Sequence, residues 1–383
     1  MDTTRVLGLW TRIGVSILTG VWAFGCGPGT GDVPQTPTDE ASEAVAEATV
    51  SAPLVDPVLE DPAWTFFESG TDATLRGLYA VGDGVVWVTG SKGTVRLTTD
   101  AGATWTDVAP PESGEFEIRD VEAWSAEVAV VQVAGQPARF YRTEDGGTSW
   151  DVVYEHPSDK AFFDGFAFWP EDDRARGIAY SDPVDGLFVV AVTEDQGRSW
   201  TTLDGESLPP ARDGEAGFAA SGTGIAVAPG GSAWIGLGGP SARILKSPDF
   251  GATWSFSEST LRSGEPSAGV FSVAFKDPQV GLAMGGDYRD ESGLDGTLAL
   301  STDGGATWTA GTGLSGFRSC VVWMPEMSEQ TWIAAGPLGA DLTPDDGETW
   351  QPLGNTGFHV LSRSPAGTLW AAGADGRIAR RNP

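Results

Sequence analysis

One eight-residue pattern occurs six times along this chain of 383 residues. It reads Ser or Thr, any residue, Asp, any residue, Gly, any residue, Thr or Ser, and then Trp. The six copies occupy residues 98–105, 143–150, 193–200, 247–254, 301–308 and 343–350. Successive copies begin 42 to 54 residues apart, which is typical of an array whose repeats are single supersecondary units packed on their neighbours. The chain is therefore predicted to have a repeat architecture.

Each copy of this pattern, here called a box, follows short apolar segments that are separated by Gly-rich turns. The clearest example is LRGLYAVGDGVVWVTGSKGTVRL at 75–97. Period-two alternation, with Gly turns about every 8 to 12 residues, predicts antiparallel strands. The 53 Gly, 25 Pro and 16 Trp of the chain also favour short strands and turns over helices.

The box is predicted to be a hairpin turn between two of these strands. Its Gly permits a positive φ, and its Asp is expected to accept hydrogen bonds from backbone N–H groups two or three residues further on. Its Trp is expected to pack against the neighbouring sheet. Because six equivalent acids indicate a repeated device of the fold, we interpret as structural the box aspartates Asp100, Asp145, Asp195, Asp249, Asp303 and Asp345.

The residues outside the six repeats complete a seventh. After the last box, 354–383 contains three further strand-like segments and no box. At the other end, DPAWTFFESG at 61–70 resembles the strand that follows each box. This N-terminal strand is expected to complete the C-terminal unit, which closes a ring and removes exposed sheet edges. The sequence therefore predicts an all-β fold, a single seven-bladed β-propeller with box hairpins over 61–383.

Residues 1–26 are predicted to be an export signal peptide. A basic start precedes an uncharged apolar stretch at 13–24, which is short for a membrane span. The end of this segment resembles a bacterial lipobox, in which the cysteine, here Cys26, is acylated and becomes the mature N-terminus. Ala23 and Phe24 depart from the lipobox pattern, so plain secretion stays open as the alternative.

Residues 27–60 are predicted to be a disordered linker. The segment is acidic, is rich in Pro, Thr and Glu, and contains no Lys, Arg or aromatic residue. Such a composition buries too little apolar surface to fold. We expect it to tether the propeller at a bacterial cell envelope, lipid-anchored in the periplasm or at the outer membrane, or else to belong to a secreted protein.

The charge of the chain excludes whole classes of partner. It carries 23 Lys and Arg against 53 Asp and Glu, a formal net charge of −30. A nucleic-acid-binding protein needs a basic surface, so nucleic acid is excluded, and membrane contact is expected only through the lipid anchor. Two Cys and two His leave almost no ligands for zinc, iron–sulfur or haem sites. We expect a monomer without metal or cofactor.

The boxes resemble the Asp-boxes, or BNR repeats, of the sialidase superfamily. Sialidases, oligoxyloglucan-type glycosidases, sortilin-like receptors and photosystem II stability/assembly factor-like proteins share this signature. Blade-length units, a total of seven and an export signal are most similar to the last family. Its founding member, in plants and cyanobacteria, is a lumenal factor that assists photosystem II assembly by binding a reaction-centre polypeptide. The resemblance implies an exported scaffold for protein binding or assembly.

The alternative is a glycan-active hydrolase or glycan-binding propeller of the same superfamily. Sialidases carry an Arg-Ile-Pro segment near their start, and this chain has none. Glycoside hydrolysis requires two carboxylates across a cleft, and among 53 acids the sequence does not identify such a pair. A cofactor-dependent oxidoreductase is disfavoured because no ligand set for a redox group is recognisable.

The register of the repeats predicts where a partner binds. In a propeller the first strand of each blade lines the central channel, and aligning these strands gives seven equivalent positions: Arg76, Arg119, Asp164, Ala216, Phe271, Arg318 and His359. The three arginines and the histidine fall on four consecutive blades of the closed ring. Guanidinium groups suit a carboxylate, such as a peptide C-terminus or an acidic side chain.

The photosystem II factor family is also noted for an arginine-rich patch near its channel, so the resemblance points to the same place. We therefore predict partner binding by Arg76, Arg119, Arg318 and His359. The alternative is that these arginines pair with Glu117, Asp120, Asp164 or Glu215 and only brace the channel.

Overall fold

The computed structural model describes residues 61–383, which form seven antiparallel sheets. The inner strands of consecutive sheets contact one another in chain order, and the last contacts the first, so the sheets close into a ring. The N-terminal strand Trp64–Phe67 pairs with Ile378–Arg381, with Trp64 opposite Arg381. The prediction of an all-β, seven-bladed propeller closed by its N-terminal strand is confirmed. The predicted signal peptide, linker and Cys26 lie outside the described residues.

Blades 1 to 4 each have four strands, which follow one another from the inner to the outer edge of the sheet. Blade 1 comprises Leu75–Ala80, Val86–Gly90, Val95–Thr98 and Thr106–Asp107. Blade 2 comprises Ile118–Ala123, Ala129–Val133, Arg139–Thr143 and Asp151–Glu155. Blade 3 comprises Phe163–Phe168, Gly177–Val184, Leu187–Thr193 and Thr201–Thr202. Blade 4 comprises Ile225–Ala228, Ser232–Gly236, Arg243–Ser247 and Ser255–Glu258.

Blade 5 carries one additional short strand, and blade 7 includes the N-terminal strand. Blade 5 comprises Gly238–Gly239, Glu265–Phe275, Gly281–Asp287, Leu298–Ser301 and Thr309–Ala310. Blade 6 comprises Cys320–Trp323, Trp332–Gly336, Gly339–Thr343 and Gln351–Gly354. Blade 7 comprises Val360–Arg363, Leu369–Ala372, Ile378–Arg381 and Trp64–Phe67.

Two single 3₁₀ turns, Asp172–Arg174 and Gly205–Ser207, are the helices of the described residues. Neither turn is long or apolar enough to cross a bilayer.

Buried tryptophans on the second strand tie successive blades together. Four blades carry one, fully excluded from solvent: Trp87, Trp234, Trp332 and Trp370. The Trp87 indole N–H donates to the Ser125 carbonyl of blade 2, at 3.0 Å, and that of Trp234 donates to Gly304 of blade 5, at 2.9 Å. Each of these two indoles therefore adds a hydrogen bond to the apolar contact between two sheets.

The six boxes form the predicted hairpins with one repeated hydrogen-bond network. In the first, Asp100 Oδ1 accepts the Thr98 hydroxyl at 2.8 Å and the Thr104 N–H at 2.9 Å, while Oδ2 accepts the Thr104 hydroxyl at 2.7 Å. Asp145, Asp195, Asp249, Asp303 and Asp345 repeat this pattern.

The backbone donor lies four residues beyond the Asp, not two or three as the sequence analysis expects. The Gly at the fifth position, Gly102 in the first box, adopts a positive φ of 89°. Its own N–H donates to the Thr98 hydroxyl at 2.9 Å. Because the Thr98 hydroxyl accepts the Gly102 N–H, the Asp100 carboxylate accepts the N–H of Thr104, at the start of the return strand.

The box tryptophan packs against the preceding blade, as predicted. Trp105 of blade 1 meets Trp370 of blade 7 edge to face, with ring centroids 6.2 Å apart, and Trp150 of blade 2 meets Trp87 of blade 1 at 6.3 Å. These boxes therefore fold their own hairpins and anchor each blade to the one before.

Candidate partner-binding site at the channel mouth

A bulge in the inner strand aims one side chain of a blade into the channel. In blades 1, 2, 3 and 5 the pairing of the two inner strands skips one residue, and the skipped residues are Arg76, Arg119, Asp164 and Phe271. A bulged residue leaves the ladder, and its side chain is redirected. The alignment of these four positions in the sequence analysis therefore corresponds to one structural feature.

The structure corrects the alignment in blades 4 and 6. Blade 7 provides the reference: its channel residue, His359, donates its backbone N–H to the Ala372 carbonyl of the adjacent strand. In blade 6 the residue that makes the equivalent bond is Ser319, whose N–H donates to the Ala335 carbonyl. Arg318 thus lies one residue before the channel position. In blade 4, Ala216 precedes the inner strand, which begins only at Ile225.

Arg318 is consequently buried inside its blade. Its side chain is 1% exposed, and its Nε donates to Asp341 Oδ2 at 2.7 Å. Its two Nη groups donate to the Ser315 hydroxyl and the Phe317 carbonyl. Burial lowers the pKa of Arg318, and the Asp341 carboxylate opposes that shift. The guanidinium is therefore fully occupied by its own blade.

Four of the remaining channel residues line a cavity of about 330 Å³, here called the mouth. Arg76, Arg119 and His359 line one side of it. Phe218, Phe271 and Phe317 line the other, with Phe218 and Phe271 stacked at a centroid distance of 3.8 Å. The mouth is therefore cationic on one side and aromatic on the other.

The two arginines of the mouth differ in their partners. Arg119 Nε pairs with Glu117 at 3.1 Å, one of the pairings expected from the sequence. Arg76 makes no ion pair with any of the residues 61–383, and its Nη1 donates to the Ala220 carbonyl at 2.9 Å. Burial first, and then the charge of Arg119, lower the pKa of Arg76 to about 10. Arg76 thus remains charged at neutral pH, and the Glu117 carboxylate, which pairs with Arg119, attracts it without forming an ion pair.

His359 adds a neutral imidazole to this side of the mouth. Burial first, and then the charges of Arg76 and Arg377, lower its pKa to about 3. A group with this pKa is uncharged at pH 7, so His359 offers a hydrogen-bonding nitrogen and no positive charge.

A segment of blade 4 closes the channel beneath the mouth. Residues 217–224, here called the floor segment, place the carbonyls of Ala219 and Ala220 under the Arg119 and Arg76 guanidiniums. Ser221 donates to the Ser319 carbonyl of blade 6 at 2.8 Å. The segment therefore reaches across the channel from blade 4 to blades 1, 2 and 6.

Phe218, Phe271 and Phe317 form the aromatic wall of the mouth. Sequence reasoning found Phe271 at its channel position but missed Phe218, Phe317 and the floor segment. Phe218 lies on the floor segment, and Phe317 precedes the inner strand of its blade. One signal was present, because the boxes that flank blade 4 begin 54 residues apart, at 193 and 247, and the repeat is among the longest. Within the described range, no cluster of three or more His, Cys, Asp or Glu has the geometry to hold a metal ion.

No family model matches the chain, and no curated protein matches its sequence. Solved structures do match. A structure of YCF48 bound to a D1 peptide aligns with a TM-score of 0.60 and 16% identity over 85% of this chain and 99% of that one. YCF48 from Cyanidioschyzon merolae aligns at 0.55 and 17% identity, over 84% and 99%. An ancestral GH74 enzyme aligns at 0.57 and 14% identity, but over 84% of this chain and only 46% of that one. The chain therefore shares the β-propeller fold of these proteins.

Proposed function

We propose that this chain is a protein-binding scaffold that receives an acidic group of a partner segment at the channel mouth. One observation carries the proposal: Arg76 is a half-buried cation that forms no ion pair within residues 61–383, and it lies beside Arg119 in a chain of net charge −30. Two adjacent guanidiniums repel each other, and a bound carboxylate relieves that repulsion while forming bidentate hydrogen bonds. An anion is thus attracted to this point of an otherwise acidic surface.

The aromatic wall supports a peptide as the ligand. Phe271 and Phe317 meet edge to face at 4.8 Å, and Tyr288 stands on the rim with 46% of its surface exposed. Leu338, 47% exposed, belongs to blade 6, beside the cavity residue Pro337. Apolar side chains that flank an acidic group in a partner segment would find contacts here. The YCF48 structure of the same fold was solved with a D1 peptide bound.

The proposal assigns different roles to the four residues predicted from the sequence. Arg76 and Arg119 bind the acidic group, and His359 donates or accepts a hydrogen bond beside them. Arg318 braces blade 6 through Asp341 and supports the wall at Phe317 without touching the partner.

The glycan-active alternative stays a prediction. It expects two carboxylates facing each other across the mouth. Of the residues lining this cavity, Glu291 is the one that carries a carboxylate. The observed charge of the mouth therefore favours binding of an anion over acid–base chemistry on a glycan.

Affinity capture from a cell-envelope extract tests the proposal. The full chain is compared with the double variant Arg76→Ala/Arg119→Ala, and bound proteins are identified by mass spectrometry. We expect a partner that the wild type retains and the double variant loses. A synthetic peptide of that partner's acidic segment should then bind the double variant at least about tenfold more weakly, because each lost charge-assisted hydrogen bond is worth about 1.5 to 3 kcal/mol.

A matched control removes two arginines outside the mouth, Arg198→Ala/Arg212→Ala. Both are exposed and paired with surface acids, Glu144 and Glu258, so the control changes the net charge equally. Equal retention of the partner by the mouth variant and this control would exclude the mouth as the binding site.

We further propose that the scaffold is exported, monomeric and lipid-anchored at a bacterial cell envelope through Cys26. The support is the basic and apolar pattern of 1–26 and the acidic linker that follows it. The variant Cys26→Ser should leave the membrane fraction for the soluble one. An unchanged distribution would exclude the anchor and leave plain secretion.

A further inference from the structure

A buried acid, a buried tyrosine and a half-buried acid lie directly beneath the floor segment. Asp164 is the channel residue of blade 3, and Tyr180 and Asp182 lie on the adjacent strand. Asp164 and Tyr180 are each 1% exposed, and neither Asp164 Oδ2 nor the Tyr180 hydroxyl has a hydrogen-bond partner. A buried carboxylate oxygen without a donor is costly unless it carries a proton.

Glycines let the floor segment lie against these groups. A Cβ atom added to Gly217 would stand 2.5 Å from Asp164 Oδ2, and one added to Gly224 would stand 2.3 Å from the Tyr180 hydroxyl. The Gly217 N–H donates to Asp182 Oδ1 at 2.8 Å. Both carboxyl groups therefore converge on Gly217, the first residue of the floor segment.

Few charges are available to compensate this acid pair. Blade 2 presents Arg119 to Asp164 and Asp120 to Tyr180. The strand adjacent to Asp164 presents Tyr180 and Asp182. The floor segment has no titratable side chain. Asp120 is itself buried and accepts the N–H groups of Val121 and Phe166. Arg119 is thus the one cation that faces the pair in the described region, and it already pairs with Glu117.

These surroundings favour a proton between the two acids. Burial first, and then the charge of Asp182, raise the pKa of Asp164 well above its ordinary value, and burial raises the pKa of Asp182 to about 6. Both carboxyl groups lie against the same residue, Gly217, and two ionised carboxylates placed this way repel each other. One proton on Asp164 lets it donate to Asp182 while Asp182 accepts from Gly217.

We propose that Asp164 and Asp182 share a single proton that fixes the floor segment and thereby positions Arg119 and Arg76 in the mouth. They are positioning residues, since the segment they hold carries the carbonyls that orient both guanidiniums. The positioning role rests on the proposed function of the mouth. The shared proton, and its effect on the stability of the floor segment, do not depend on that function.

Loss of the proton should release the floor. Two adjacent negative charges repel each other, and Asp182, which is half-buried, is the one able to turn toward water. Its departure breaks the bond to Gly217, and the ionised Asp164 draws Arg119 away from the Ala219 carbonyl. The floor segment should therefore be better protected at low pH than at high pH.

Hydrogen exchange of the full chain tests this without any partner. Exchange is measured by mass spectrometry from pH 5 to pH 9 and corrected for the intrinsic pH dependence of amide exchange. In the wild type we expect the protection of 217–224 to fall at least about tenfold across this range, about 1.4 kcal/mol of local opening free energy. A peptide from 332–343 in blade 6 reports global opening and should not follow this fall.

The variant Asp164→Asn keeps a donor for Asp182 but cannot ionise, so its floor protection should change less than about threefold over the same range. Asp151→Asn, an exposed acid on the outer strand of blade 2, should behave as the wild type. A wild-type floor whose protection is constant with pH would overturn the proposal even without the variants. An Asp164→Asn floor that loses protection as the wild type does would also overturn it. The hydrogen-exchange experiment uses no partner, so its outcome does not depend on whether affinity capture at the mouth succeeds.

Discussion

At the scale of single residues, Arg318 and Ser319 show how one step in register changes the chemistry of a side chain. Inside a blade, successive side chains of a strand face opposite sides. Ser319 takes the channel position, so Arg318 points into blade 6 and pairs with Asp341, whose side chain is fully buried. The same residue type is therefore available to a ligand in Arg76 and part of the core in Arg318.

We expect Arg318→Ala to destabilise the propeller by about 3 to 5 kcal/mol, because it leaves the Asp341 charge buried and unpaired. Arg212→Ala removes an exposed arginine paired with Glu258 and should cost about 0 to 1 kcal/mol. Urea unfolding followed by tryptophan fluorescence measures both. Equal, small losses for the two variants would contradict the structural role assigned to Arg318.

At the scale of elements, the box is a hairpin held by one carboxylate. Hydrogen bonds from the Thr307 hydroxyl and N–H and from the Ser301 hydroxyl lower the pKa of Asp303 to about 2, while burial opposes the shift. The other five box acids also have lowered pKa values. A carboxylate in this position works as an acceptor of hydrogen bonds, which accounts for its presence in all six boxes.

Removing this acceptor should loosen one hairpin. Asp303→Ala deletes three hydrogen bonds, and we expect a loss of about 1 to 3 kcal/mol, since the N–H of Thr307 can still bond to water. Asp295→Ala, in an exposed loop of the same blade, should change stability by less than about 0.5 kcal/mol. Thermal unfolding monitored by circular dichroism compares them, and similar melting temperatures would contradict the role of the box.

At the scale of the whole molecule, closure of the ring buries acids whose pKa values rise as a result. Burial raises the pKa of Asp120 to about 8 and that of Glu122 to about 7. A carboxyl group whose pKa is higher in the folded than in the unfolded state stabilises the folded protein. Its contribution to the free energy of unfolding is complete below the unfolded-state pKa and is lost as the pH rises through the folded-state pKa. His359 has a lowered pKa, so its contribution to stability increases with pH between about pH 3 and 6.5. This single group only partly offsets the loss from the buried acids.

We therefore expect the free energy of unfolding to be larger at pH 5.5 than at pH 8, by about 1.4 kcal/mol per pH unit for each net proton that the folded state retains. Below about pH 4 the box aspartates reverse the trend, since their lowered pKa values make the folded state lose stability as they protonate. Urea titrations across this range measure the curve, and Asp120→Asn should flatten its alkaline side. A stability that rises from pH 5.5 to pH 8 would contradict the assignment.

The fold was largely readable from the sequence, whereas the site was readable only in part. The boxes mark one local hairpin per blade, and the strand at 64–67 was recognisable because it resembles the strand after each box. Arg76 and Arg119 were found because their bulges recur in register. The sequence analysis assigns Arg318 to the channel, one residue too early, and does not identify Phe317, because the alignment contains no local signal for where the inner strand of blade 6 begins.

What the sequence alone determined is what local interactions encode: the hairpins, the number of blades and the closure of the ring by both chain ends. Each depends on residues within about ten positions of one another, or on a repeat that reveals itself by comparison with its neighbours. The tertiary structure decided which side chains meet in the channel. Phe218, Arg76 and Asp164 belong to different blades, and the floor segment that joins them has no counterpart in the other repeats that the sequence analysis recognised. The burial that lowers the pKa of Arg76 and raises the pKa of Asp164 exists only once the ring has closed, because it depends on groups that different blades bring together around these side chains.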